Sequence, residues 1–127
     1  MAHVQGQTAG DVEGTLDRMA GELGSAGHVR KIAQTWLTEL PQRLDGLDVA
    51  ARHGDAARLR AGAHTLKSTC ALIGAGAAAN LASDIERRAA DGDAAGPELV
   101  DALRVTAEAA AARVRDWIHL LPPEAAS

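Results

Sequence analysis

Alanine sets the terms for this chain: it fills 29 of 127 positions, while Phe and Tyr are absent and Trp occurs twice. Strands draw on β-branched and aromatic residues that pack a pleated surface, and these are scarce here. Ala, Leu, Arg and Glu are strong helix formers, so an all-α fold is expected. Alanine lets helices approach closely but buries little area per residue, so stability must come from long helices with continuous leucine stripes. The length suits one domain. No apolar run reaches the roughly 20 residues of a membrane span. No charged segment followed by an apolar one opens the chain as a secretory leader would. One cysteine makes neither an internal disulfide nor a thiolate metal site. A net charge of −4 with 2% aromatics offers neither the basic surface nor the stacking platforms that nucleic acid requires.

Residues 1–10 are small and polar without periodicity and read as a tail. From Asp11 the stripe Val12, Leu16, Met19, Leu23 predicts a short amphipathic helix, stopped at Gly24, with Ser25 as cap of the next. The second helix carries Val29, Ile32, Ala33, Trp36, Leu40, Leu44 and Leu47. Pro41 removes one backbone donor and is expected to kink it near Leu37 to Leu40. His53-Gly54-Asp55 supplies a stop and the next N-cap. A third helix is expected from Ala56 to Ile73, ending at Gly74, and a fourth is marked by Leu81, Ala82, Ile85 and Ala89 up to the Asp91-Gly92-Asp93 turn. Pro97 stands where a first helical residue should, and a last helix runs through Leu99, Leu103, Thr106, Ala110, Val114 and Trp117 before Pro122-Pro123. Four long helices joined by short turns predict an antiparallel up-and-down four-helix bundle over residues 11–121. The short N-terminal helix is an accessory, and residues 122–127 form a C-terminal tail.

The third helix carries the chemistry. On a wheel of 100° per residue, Gly62, Ala63, Leu66, Cys70 and Ile73 fall within about 60° of Leu59 and form the core stripe, while His64 falls at about 140° and faces solvent. Arg60, Ala61, Ser68, Ala71 and Ala75 share that outer face with Ala57, and Lys67 stands one turn from His64. A solvated helix face ordinarily carries long charged side chains; here small residues surround one imidazole, and a partner meets no steric obstruction. Arg58, Arg60 and Lys67 outnumber Asp55 on this helix, within an acidic chain. An unobstructed imidazole beside an ammonium suits a nucleophile that accepts an anionic phosphoryl group. Imidazole titrates near pH 6.5 and is nucleophilic there without a dedicated base, and an ammonium at i+3 holds a phosphoryl oxygen as a point charge.

The run Ala63-His64-Thr65-Leu66-Lys67-Ser68-Thr69-Cys70-Ala71-Leu72-Ile73-Gly74-Ala75 resembles the signature of histidine-containing phosphotransfer (HPt) domains, Ala-His-x-Leu-Lys-Gly-Ser-small-x-x-aliphatic-Gly-Ala. Leu37 to Leu47 with Pro41 resembles the family's Leu-x-x-x-Pro-x-x-Leu stretch, Gly54-Asp55 its turn before the histidine helix, and Leu81 to Glu86 its Leu-x-x-x-hydrophobic-Glu segment. The likeness covers residues 28–118. It implies a bundle that takes a phosphoryl group on His64 from the aspartate of a receiver domain and passes it to another receiver, with Lys67 steadying the phosphorylated ring. Arg60, Ala61, Ser68, Ala71 and Ala75 then form the docking face, flanked by the second helix around Pro41 to Leu47. Ser68 departs from the glycine commonest at that position; it keeps the i+4 position low and adds a hydroxyl that can reach the ring or the phosphoryl group. The resemblance also implies partners, namely receiver domains of response regulators and a hybrid sensor histidine kinase. It implies no cofactor of the domain's own, the Mg²⁺ of the transfer being expected in the partner receiver.

Without its neighbours, one exposed histidine on a helix is an ordinary solvated residue; the motif is what promotes His64. Cys70 lies on the core stripe and reads as a small buried hydrophobe. Trp36 and Trp117 read as core aromatics. His3, His28 and His53 carry no pattern, and Asp116-x-x-His119 lacks the further ligands a bundle metal site requires, so no metal is expected. No phosphate loop or kinase motif occurs, so His64 is a relay point and not a turnover catalyst. Two alternatives remain, a docking-only helical adaptor and a chemotaxis-kinase-type phosphotransfer domain. The latter commonly has Gly-Phe where Gly74-Ala75 stands. The expected setting is a monomer in the cytoplasm without direct membrane contact, free-standing or as the C-terminal domain of a membrane-bound hybrid kinase.

Overall fold

The computed structural model describes residues 11–94 and 96–122. The expected N-terminal tail and, apart from Pro122, the C-terminal one lie outside them. Among the described residues there are five helices and no strand: α1 (Val12–Leu23), α2 (Ala26–Arg52), α3 (Ala56–Ile73), α4 (Gly76–Ala90) and α5 (Pro97–His119).

The ends lie where local chemistry puts them. Ser25 accepts from the backbone N–H of His28 and Asp55 from that of Arg58, satisfying donors that a helix start leaves unpaired. Gly24, Gly54, Gly74 and Gly92 all take positive φ at the connections that follow α1 to α4. Pro97 opens α5, as expected of a residue with no N–H to lose. Helix α2 runs unbroken through Pro41, which is exposed, so water can partner the carbonyl of Leu37 that lacks its helical donor.

The core is a seam of Leu16, Leu44, Leu47, Leu59, Leu66, Ile73, Ile85 and Leu103 interleaved with fully buried Val and Ala. Gly62 lets α2 close on α3: a Cβ there would stand 3.0 Å from Leu47 Cδ2. Both tryptophans are buried. Trp117 donates its indole N–H to Asp17 at 2.9 Å, while that of Trp36 has no partner among the described residues. The stripes differ in places from the expected ones: Ile32 in α2 and Leu81 in α4 are half-buried, and α1 and α5 differ further. Leu23 is exposed, because α1 ends at Gly24 and its last turn extends past the core. In α5 the buried positions are Val100, Leu103, Ala107, Ala111, Val114 and Trp117, so Leu99, Thr106 and Ala110 lie at the seam's edge. Alanine on both sides of that boundary leaves periodicity no means of choosing between them.

Helix α1 is tied to α5 across 100 residues of sequence. Arg113 grips Glu13 through Nε at 3.0 Å and Nη2 at 2.5 Å, one turn before the Trp117–Asp17 bond. The equal spacing of the two pairs sets α1 parallel to α5. Hydrogen bonding to Arg113 holds the Glu13 carboxyl below its ordinary value of 4.5. A carboxyl lowered in this way contributes stability above its unfolded value and loses it as pH falls through the folded one. Arg113→Ala should therefore cost about 0.5–1 kcal/mol at neutral pH, the scale of a half-exposed pair. That difference from the parent should shrink to nothing once the pH lies well below 4.5. Denaturant unfolding at several pH values reads it, and a pH-independent difference would assign the cost to packing instead.

Candidate functional site

Helix α3 is delimited at both ends by its own sequence. Asp55 caps its start. At its end the N–H of Gly74 bonds the Ala71 carbonyl at 3.1 Å and the N–H of Ala75 bonds the Cys70 carbonyl at 2.8 Å, a turn that closes because Gly74 adopts φ +87°. Leu59, Ala63, Leu66, Cys70 and Ile73 anchor the helix in the core, so the opposite face is held outward and His64 projects from it with its side chain 61% exposed. Only Gly74 and Ala75 separate α3 from α4, and this short link fixes which α4 residue stands level with the histidine.

That residue is Glu86. Its Oε2 lies 2.8 Å from His64 Nδ1, and its Oε1 lies 2.7 Å from Lys67 Nζ. One carboxylate, its side chain 18% exposed, thus bridges an imidazole and an ammonium on the neighbouring helix. The hydrogen bond from Lys67, followed by the one from His64, holds the Glu86 carboxyl below its ordinary value of 4.5. An ionised carboxylate only accepts, so Nδ1 must be the protonated nitrogen of His64. The lone pair of a neutral ring is then on Nε2. This tautomer matters because an imidazole nitrogen attacks through its lone pair, and the nitrogen already engaged by Glu86 has none to offer.

The expected site residues fall into place unequally. His64 and Lys67 are brought together, one turn apart and joined by Glu86. Arg60, Ala61, Ser68 and Ala71 are exposed on the His64 side of α3. Ala75 is not on that face: it is 3% exposed. The expected outer face carried the α3 wheel one residue too far, whereas the left-handed Gly74 ends α3 and turns Ala75 inward as the N-cap of α4. In the flanking stretch of α2, Leu44 and Leu47 are buried and Asp45 is paired with Arg104 of α5. Of Pro41 to Leu47, therefore, only part faces outward. Thr65 hydrogen-bonds the Ala61 carbonyl. Cys70 is fully buried, and burial pushes its thiol up to about 11, which leaves it unreactive. Among the described residues no three His, Cys, Asp or Glu side chains come together as metal ligands would.

Glu86 is the residue of this candidate site that reasoning from the α3 sequence missed. The only signal was its place at the end of the Leu81 to Glu86 segment, which gives it no role until the two helices are seen side by side.

A model of the family described as Hpt domain matches residues 31–117, more than half of the chain. The match runs from within α2 into α5; it takes in His64, Lys67 and Glu86 and leaves α1 outside. Comparison with curated proteins and with solved structures gives no match.

Proposed function

Because the chain belongs to the Hpt domain family, whose members carry phosphoryl groups on histidine in two-component signalling, we propose that His64 accepts a phosphoryl group on Nε2 from a receiver-domain aspartate and yields it to another receiver. The observation that carries this reading is the hydrogen bond from Nδ1 to Glu86, which leaves Nε2 of an exposed ring as the nitrogen with a free lone pair.

In the forward step the Nε2 lone pair forms the N–P bond, the P–O bond to the aspartate breaks, and the aspartate leaves as a carboxylate. The ring keeps its Nδ1 proton and gains positive charge, which the Glu86 carboxylate faces and stabilises. Retransfer reverses these changes, with the imidazole leaving as the neutral Nδ1–H tautomer. Lys67 steadies the phosphoryl oxygens, and in the unphosphorylated protein Glu86 holds it in place one turn away. The domain is a carrier: Mg²⁺ and the acidic pocket belong to the receiver, and no cofactor of its own is required. Among the described residues no helix is long and apolar enough to cross a membrane. A cytoplasmic monomer with α2 to α5 as an antiparallel up-and-down bundle is the setting this reading implies.

The test is transfer from a phosphorylated receiver to this protein, followed by intact mass at neutral or alkaline pH, where phosphohistidine survives. One phosphoryl addition is expected; none from any of several receivers, with the protein folded, would move the chain to a docking role. Glu86→Ala should keep the acceptor but slow transfer by about 10-fold or more, the usual loss when the group orienting a reactive side chain is removed. Glu86→Gln, which still accepts from Nδ1–H, should recover part of the rate. Equal rates in all three proteins would show that the bond to Glu86 does not orient the nucleophile.

A further inference from the structure

We propose that Arg60 is a phosphoryl-binding residue of this site and supplies the cation that Lys67 alone cannot. The proposal rests on the relay reading above and adds a ligand for the group being transferred.

The charges around His64 frame the problem. Lys67 is the cation nearest the ring along α3, yet its ammonium is already 2.7 Å from Glu86. A phosphoryl group on Nε2 brings about two negative charges close to that carboxylate. One ammonium would then be shared between the carboxylate and the phosphoryl oxygens. The other ionic groups nearby are committed as well: Arg58 leans on Asp55 and Arg87 on Asp84. Arg60 is exposed, stands on the His64 face, and makes no ion pair among the described residues.

Helix geometry brings His64 over Arg60, within reach of a guanidinium that folds back from Ala57 toward the ring. Side chains of an α-helix lean toward its N-terminus, so a residue covers the turn that precedes it. For His64 that turn is Arg60 and Ala61, whereas Lys67 approaches from the C-terminal side. Ala57 and Ala61, also exposed, leave the guanidinium room to move. A residue four positions before the histidine lies about 6 Å away between Cβ atoms, within reach of a long side chain. Arginine presents a planar fork that meets two phosphoryl oxygens at once, a geometry an ammonium does not offer. Lys67 and Arg60 would thus close on the group from opposite ends of one helical turn, the former held by Glu86 and the latter recruited by the anion.

Phosphoramidate separates this role from partner docking. It is a small donor that phosphorylates imidazole directly: its P–N bond breaks, ammonia leaves, and the Nε2–P bond forms with no receiver present. The parent, Arg60→Ala and Arg60→Lys are compared by initial rate of labelling and by lifetime of the phosphorylated form, with far-ultraviolet circular dichroism to show equal helix content. Arg60→Ala is expected to lower the labelling rate about three- to fivefold, the scale of one exposed charge-assisted contact, and to shorten the lifetime. Arg60→Lys should recover part of both. Unchanged rate and lifetime with phosphoramidate would overturn the proposal. If transfer from a receiver alone falls, Arg60 is a docking residue, which overturns it equally. A parent that takes up no phosphoryl group on His64 from either donor would remove the relay reading itself, a different result from a parent that labels as well as its Arg60 variant.

Discussion

His64→Gln is expected to end phosphoryl uptake altogether and to leave the helical circular dichroism of the parent unchanged. Both halves follow from position. The side chain is 61% exposed and fills no part of the core, so its loss opens no cavity. Glutamine can still donate to Glu86, so the Lys67–Glu86 pair is not left facing an empty site. What disappears is a nitrogen lone pair, since an amide nitrogen is not a nucleophile. Measured by intact mass after incubation with a phosphorylated receiver, the parent should gain one phosphoryl group and the variant none. Labelling retained in the variant would move the acceptor elsewhere, with His28, His53 and His119 the other exposed histidines among the described residues.

The largest effect on stability is expected at the far end of the same helix. Gly74 has φ +87°, and a Cβ there would stand 2.5 Å from Thr15 Oγ1, 2.7 Å from Thr15 Cβ and 2.8 Å from the Asp11 carbonyl oxygen. Two separate costs therefore meet in Gly74→Ala. The left-handed conformation costs an alanine about 1–2 kcal/mol, and the overlap with α1 adds about 1–3 kcal/mol because backbone must move. Gly92 provides the comparison: φ is +83° and nothing lies within 4 Å of its absent Cβ. Gly92→Ala should show the conformational cost alone, about 1–2 kcal/mol. Denaturant unfolding of the two variants separates the terms. Equal losses would mean that α1 does not press on the end of α3.

The contrast between these glycines also marks what the sequence could and could not disclose. Helix α3 is legible to the residue, because Asp55 and Gly74 act locally and the spacing of Leu59, Ala63, Leu66, Cys70 and Ile73 is unambiguous. The outward position of His64 follows from the same spacing. Reasoning within one helix fails where the chain leaves it: Ala75 continues the wheel on paper, but past Gly74 there is no wheel. It fails again at Glu86, 22 residues from His64, since the partner of an exposed side chain is decided by how two helices lie together and not by periodicity in either. In α5 the difficulty is compositional. Ala107 and Ala111 are buried while Ala110 is at the edge, and equal side chains give no preference for one rotation over another. The residues around the imidazole read as small and cationic from α3 alone; the carboxylate that fixes its tautomer comes from α4.

The clasp between α1 and α5 bears on the order in which the molecule assembles. Glu13 and Asp17 meet Arg113 and Trp117 across 100 residues, whereas Glu86 reaches His64 across 22. Contacts distant along the chain form late, because closing a long loop gives no return until both ends are in place. During synthesis α1 leaves the ribosome before α5 and has α2 to pack on, yet its clasp with Arg113 and Trp117 cannot close until α5 has followed. The hairpin that carries His64 and Glu86 is complete while Glu13 and Asp17 of α1 still wait for their partners. Helix α5 therefore locks α1 in its place, and the His64 site is assembled before the ring of helices around it is closed.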